Sequence, residues 1–401
     1  MLDDDSLIPP RAAPTARRSP FSWRSKRGRA VAYQVLAIGV IGLLVWLLVS
    51  STLANMKSRG IQSGFDFLFQ PAGFDIGEGW LNYDSNDGYW KAFGVGLVNT
   101  LRVALVGIVL TTVLGGLLGV GRFSRNALVR GICYGYVELF RNIPLLLQLL
   151  MWYLLFAEYL PSIDEAVNIG NAVFLSKNGL SYPFPVWRLG QTLAVCGLAA
   201  GSVAAWLYAR QARRHFDLTG QPRPVAWVAV TLIALGALIG WLVGGAPSEW
   251  NLPQLTATQV EGGGALSPEY LAVLLGLVLY TSAFVAEVVR AGVASVSTGQ
   301  HEASASLGLS RRHSMRLVVL PQALRVIIPP LTNQYLNLTK NSSLAVAVGY
   351  PDLVSIANTS LNQTGRAVEC IAIIMLIYLT LSLSTSALMN WFNSRAAIKE
   401  R

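Results

Sequence analysis

The segment from Gln300 to Pro321, QHEASASLGLSRRHSMRLVVLP, combines residue types whose spacing has a physical meaning. Glu302, Ala303 and Ser304 open a short helix of small residues, Gly308 interrupts it, and Arg311, Arg312 and Arg316 lead on to Leu320 and Pro321. Small side chains allow close approach by another backbone, and a glycine permits a sharp change of direction. The pattern predicts a bent helix lying on a surface, built to dock. A second group of chemically capable residues lies inside or at the ends of apolar runs: Arg102, Glu138, Arg141, Glu287, Arg290 and Lys340. An ionised group costs several kcal/mol or more in hydrocarbon, so each is expected to serve a pathway or gate, or to form an ion pair between helices. Glu138 with Arg102 is one such packing pair; Glu287 and Arg290, one helical turn apart, form another, expected to act as a gate or to position the neighbouring loop. Covalent chemistry is not indicated. Cys133, Cys196 and Cys370 are scattered without metal-ligand spacing, and His215, His301 and His313 fall in basic polar segments, so no metal site is expected.

These residues must be positioned by an unusual chain. Of 401 residues 53% are hydrophobic and only 13% charged, and the apolar residues come in blocks of about twenty, the length that crosses a bilayer. Blocks at 31–53, 93–121, 132–160, 190–209, 226–244, 269–291, 322–348 and 367–392 predict an all-α polytopic membrane protein with about eight spans. The net charge of +10 is concentrated in short segments between them, Arg122 to Arg130, Arg210 to Arg223, Arg290 to Arg316 and Arg395 to Arg401. With both termini in the cytoplasm all four fall on the same side, as the positive-inside rule requires, and no nucleic-acid partner is needed to explain the charge. Trp80, Tyr83, Tyr89, Trp90, Tyr182, Trp187 and Trp250 lie near span ends on the opposite side, where aromatic rings anchor to the interface.

The Glu302–Pro321 segment resembles the EAA loop of ABC import permeases, with Ser304 where that pattern usually has a third small Ala. Flanking stretches narrow the resemblance. Leu266 to Val289, Gln322 to Asp352, Gly96, Asn99-Thr100-Leu101 and Tyr136 to Leu149 are similar to permeases of the polar and general L-amino-acid importers, the HisM-like group, over most of residues 93–392. The chain departs from them at Arg141-Asn142-Ile143-Pro144, where Arg-Gly-Thr-Pro is common, and it carries an additional hairpin at about 190–244. The hairpin and long outer loops resemble the larger AapQ/BztB type. The resemblance implies a type I ABC importer permease fold, with residues 1–30 a basic tail, 31–92 a first span and long outer loop, 93–392 the permease domain and 393–401 a second tail.

It also implies a set of partners in a bacterial inner membrane: a second homologous permease, two copies of a cytoplasmic ABC ATPase and a periplasmic amino-acid-binding protein. The chain contains no GxxxxGK[ST] phosphate loop, so ATP and Mg are expected on the ATPase, leaving this subunit without a cofactor or an enzymatic activity of its own. In that setting Glu302, Ala303, Ser304, Gly308, Arg311, Arg312, Leu320 and Pro321 are the expected ATPase-coupling residues. An amino acid brings both a carboxylate and an ammonium group, and the residues expected to line its pathway are Arg141, Asn142, Lys340, Asn341 and Ser342. An ion-coupled secondary transporter using Glu138 and Glu287 as relays is the rival expectation, but it leaves the EAA-like segment without a role.

Overall fold

The computed structural model describes residues 26–58, 60, 63–256 and 260–396. Residues 1–25 and 397–401, which hold most of the two expected tails, lie outside the described residues, as does Arg59 of the first outer loop.

The chain is a bundle of long helices: α1 (Lys26–Ser58), α2 (Tyr89–Gly121), α3 (Ala127–Asn142), α4 (Leu145–Tyr159), α5 (Leu189–Thr219), α6 (Val225–Val243), α7 (Pro268–Ala294), α10 (Leu320–Asn341) and α12 (Ala367–Ala396), with shorter α8 (Thr298–Ser306), α9 (Arg311–Ser314) and α11 (Leu353–Thr364) between them. Among the described residues seven helices are long and apolar enough to cross a membrane, and the bent pair α3–α4 makes an eighth crossing if taken as one span. Local sequence explains the ends. Asn126 caps α3 by accepting from the Leu128 and Val129 amides, and Ser267 caps α7 ahead of Pro268, whose missing N–H is no loss in a first turn.

The block at 132–160 is not one straight helix. α3 and α4 meet at 105°, because Pro144 has no N–H to continue the ladder and holds Ile143 extended at ψ 128°. The carbonyls left free at the end of α3 are answered by a side chain: the buried Gln148 amide donates to Phe140 O at 3.0 Å and Ile143 O at 2.9 Å.

The core forms around α2 and α7, which cross closely because α2 presents glycine. A Cβ on Gly115 would stand 2.6 Å from Val285 Cβ, and one on Gly119 2.7 Å from Val289 Cβ. Further along the same helix pair, Val103 of α2 packs with Leu149, Tyr270, Val273, Leu277 and Tyr350 in one apolar cluster. A second, of Phe67, Tyr89, Phe93, Leu353, Ile356 and Cys370, lies toward the outer-loop end, so the loop between α1 and α2 is packed into the bundle.

The α5–α6 hairpin stands apart, its helices packed on one another. The interface is backbone against backbone: a Cβ on Gly197 would lie 2.0 Å from Gly236 O, and one on Gly240 2.0 Å from Leu193 O. The long loops add a feature not expected from the sequence. β1 (Val167–Ile169), β2 (Val173–Ser176), β3 (Gly179–Tyr182) and β8 (Gly264–Leu266) form an antiparallel sheet with β3 and β8 paired Leu180 to Leu266, while β4 (Phe184–Pro185) pairs with β5 (Trp250–Asn251) and β6 (Gln254–Leu255) with β7 (Val260–Glu261). The segment after α4 is thereby tied to the segment before α7.

Candidate functional site: a bent loop and the charges behind it

α7 leads directly into the candidate docking segment. α8 carries Glu302 and Ala303, both exposed, and ends where Gly308 takes φ +71°, a left-handed conformation that L side chains rarely adopt. The Leu307, Gly308 and Leu309 amides turn back to the carbonyls of Ala303, Ala305 and Ser304, closing the helix end. Ser310 then caps α9, which presents exposed Arg311 and Arg312. Ser304 is not merely a small residue. It is 3% exposed, and its hydroxyl lies 2.6 Å from that of Ser314, itself buried, so the two arms of the bend are strapped together. Between α9 and α10 the ladder widens into a π-helical turn at Met315–Val319, just ahead of Pro321, which cannot donate to the carbonyl four residues back. Leu320 and Pro321 start α10, and Gln322 donates to Gln300 at 3.1 Å, tying α10 to α8. At the apex Leu307 is 79% exposed, an apolar knob beside Ala303.

Behind this loop the charges converge on Glu287 of α7. Arg122, at the end of α2, meets it at 2.5 Å; Arg290 at 2.5 Å; Arg141, at the end of α3, at 4.0 Å. Arg122 stacks over Tyr134 at 5.0 Å and Arg141 over Phe284 at 5.4 Å. Arg141 and Glu287 also line a cavity of about 280 Å³ with Phe284, Gln334 and Pro330. The expected Glu287–Arg290 pair is present, joined by an Arg122 that the sequence placed only in a basic loop. The suggested Glu138–Arg102 pair is absent. Arg102 is matched instead by Glu78 of the outer loop at 2.6 Å, while Glu138 accepts the Asn142 side-chain amide through its backbone oxygen at 2.7 Å and its carboxylate at 3.5 Å. Lys340 is exposed near the far end of α10, Asn341 is half-buried beside it, and the buried Ser342 hydroxyl is spent on Thr339 O at 2.8 Å. Of the five expected pathway residues, only Arg141 lines the cavity with Glu287.

Residues 107–398 match the family model described as "Binding-protein-dependent transport system inner membrane component". The chain belongs to this family. It is a multi-pass membrane permease subunit of the ABC importer class, a transport component rather than an enzyme. The permease is 43% identical to the General L-amino acid transport system permease protein AapQ of Rhizobium johnstonii, over 93% of each chain. It is 40% identical to the Glutamate/glutamine/aspartate/asparagine transport system permease protein BztB of Rhodobacter capsulatus, over 94% of this chain and 95% of that one. A solved amino acid ABC transporter crystallised with histidines aligns with 77% of the permease and 95% of its own chain, at 21% identity and TM-score 0.45.

At the opposite end of the permease a second polar network holds the loop between α1 and α2, the one expected to be outer. Arg102 lies between the rings of Trp80 at 4.9 Å and Tyr270 at 4.1 Å, and Ser267 donates to the other oxygen of its partner Glu78. Arg366 grips Asp66 at 3.0 Å and Gly64 O at 2.7 Å. The Asn99 amide bridges Glu78 O and Pro351 O, both at 2.9 Å. Asp352, fully buried, caps α11 through the Ser355 amide at 2.9 Å; burial pushes its carboxyl up to about 7. Glu78 is not legible as a site residue in the sequence because its role is set by contacts with distant segments, and Asp352, although a local helix cap, owes its burial to tertiary packing. The only local hint was a carboxylate in an otherwise aromatic and glycine-rich stretch at 76–83.

Proposed function

We propose that this chain is one of two permeases in an ATP-driven importer of L-amino acids. The observation that carries this is the exposed, glycine-bent loop at α8–α9, continuous with α7 and standing at the same end of the bundle as the Arg122–Glu287–Arg290 cluster. A loop closed on itself by Ser304 and Ser314, with Leu307, Glu302 and Ala303 outermost, is shaped to insert into a groove on another protein. That protein is a cytoplasmic ATPase, present in two copies, one beneath each permease, and holding the ATP and Mg. When the ATPases close, the loops are drawn together, and α7 and α10, joined to either end of the loop, carry the movement into the bundle.

The distribution of basic segments supports both termini and this loop on the cytoplasmic side of a bacterial inner membrane, with the β-sheet loops facing a periplasmic amino-acid-binding protein. Arg141 is the residue of the pathway set best placed to receive a substrate carboxylate. Its contact with Glu287 is the longest of the three arginine contacts, and it is more exposed than Arg122. Asn142, Lys340, Asn341 and Ser342 line the pathway away from this cavity.

The test is uptake of a labelled L-amino acid by proteoliposomes holding both permeases and the ATPase, with ATP inside and the binding protein outside. Uptake that needs ATP and the binding protein and survives collapse of ion gradients is the expected result. Uptake that follows a proton or sodium gradient without ATP would overturn the proposal.

A further inference from the structure

The α5–α6 hairpin has two unequal helices. α5 has 31 residues and α6 has 19, about 46 Å and 28 Å at 1.5 Å per residue, against a hydrocarbon layer of about 30 Å. Gly190 faces Gly244, Gly197 faces Gly236 and Gly201 faces Leu232. This register sets Tyr208 level with Val225, the first residue of α6, and Arg210 just beyond it, so the rest of α5 projects past the hydrocarbon into the headgroup layer.

Two cavities open there on either side of Arg213. One, of about 230 Å³, is lined by Trp206, Ala209, Arg210 and Arg213. The other, of about 360 Å³, is lined by Ala212, Arg213, Phe216, Asp217, Pro222 and Arg223 with Val225. The Arg210 guanidinium stands 5.7 Å from the Trp206 ring. Arg210, Arg213 and Arg223 are exposed, and among the described residues none has a carboxylate within ion-pairing distance. Asp217 is the single acid of the site.

We propose that this end of the hairpin binds the headgroup of an anionic phospholipid. The guanidinium forks suit the two free oxygens of a phosphodiester, and the floors of Trp206, Phe216 and Val225 suit the glycerol and upper acyl segments that accompany it. Depth selects a lipid over a soluble anion: the apolar walls continue directly into the exposed faces of α5 and α6, where acyl chains lie. Net positive charge selects an anionic lipid, since a choline or ethanolamine group would bring a cation to the same arginines.

The full-length chain, purified in detergent with the subunits that accompany it, is to be titrated with phosphatidylglycerol or phosphatidylcholine and bound lipid counted by native mass spectrometry. Wild type is expected to retain phosphatidylglycerol over phosphatidylcholine. In Arg210→Gln/Arg213→Gln/Arg223→Gln the binding is expected to be on the order of a hundredfold weaker, with the thermal midpoint unchanged. Arg213→Lys, which keeps the charge but loses the fork, is expected to fall between them and serves if the triple variant does not fold. Equal retention of both lipids, or undiminished phosphatidylglycerol in the variants, would overturn the proposal; so would displacement of the lipid by millimolar inorganic phosphate, which would make the site one for a free anion.

Discussion

The hydroxyls of Ser304 and Ser314 lie 2.6 Å apart, both buried, and join the two arms of the loop between α7 and α10. Ser304 stands where the EAA pattern usually has Ala, and its hydroxyl adds a contact that alanine cannot make. Ser304→Ala would leave the Ser314 hydroxyl buried without this partner, a local cost of about 1–3 kcal/mol. Amide hydrogen exchange across 298–314 is expected to rise roughly tenfold or more, and transport per ATP hydrolysed to fall, while Ser304→Ala/Ser314→Ala recovers much of the loss because neither polar group remains. Unchanged exchange in the single variant would contradict the strap.

Glu78 and Arg102 predict the behaviour of the outer loop. The Arg102 side chain is 2% exposed and that of Glu78 12%, so Glu78→Gln strands a buried charge and should destabilise the protein by about 3–5 kcal/mol. Glu78→Gln combined with Arg102→Met should recover part of this, since no charge is then buried. Thermal unfolding in detergent measures both.

Glu287 gathers three arginines, two of them at 2.5 Å. Its side chain is 27% exposed, which moderates the effect of removing it: Glu287→Gln is expected to cost roughly 1–3 kcal/mol, between the values for surface and buried pairs. Arg122, only 9% exposed, is the partner left worst off. Adding Arg122→Gln should return a measurable part of the loss in a double-mutant cycle.

Asp352 gives a pH dependence of definite sign. Burial lifts its carboxyl from 3.8 to about 7, so the folded chain holds a proton that the unfolded chain releases between those values. The associated stability is complete below the lower value, is lost as pH rises to about 7, and has no further slope above it. Asp352→Asn keeps a side-chain oxygen for the Ser355 amide and is expected to flatten the thermal midpoint against pH over this range. A slope of unchanged size would place its origin elsewhere.

What could be read from the sequence follows the range of the interactions involved. The loop at 298–321 was legible because Glu302, Gly308 and Pro321 act through their own backbone and near neighbours. The spans were legible because a bilayer imposes length and apolarity on each segment separately. The block at 132–160 reads as a single span by apolarity and length, and its 105° bend depends not only on Pro144 but on Gln148 reaching back to the carbonyls that proline leaves free. α11 was missed because twelve residues with several Ser, Thr and Asn carry no span-like signal. The Glu78–Arg102 and Arg122–Glu287 pairs were missed because nothing in the sequence records which loop folds onto which helix. The outer strands, two to four residues long, owe their existence to the loops that meet there.

Gly308→Asp tests the coupling role of the loop most directly, because it places a side chain and a charge at φ +71° while leaving every span unaltered. Membrane insertion, ATPase copurification and ATP-dependent amino-acid uptake should be measured on the same preparations. Insertion is expected to be normal and ATPase association and uptake both reduced at least about tenfold, because a charged L side chain at this φ strains the loop. Normal ATPase association with undiminished uptake would contradict it.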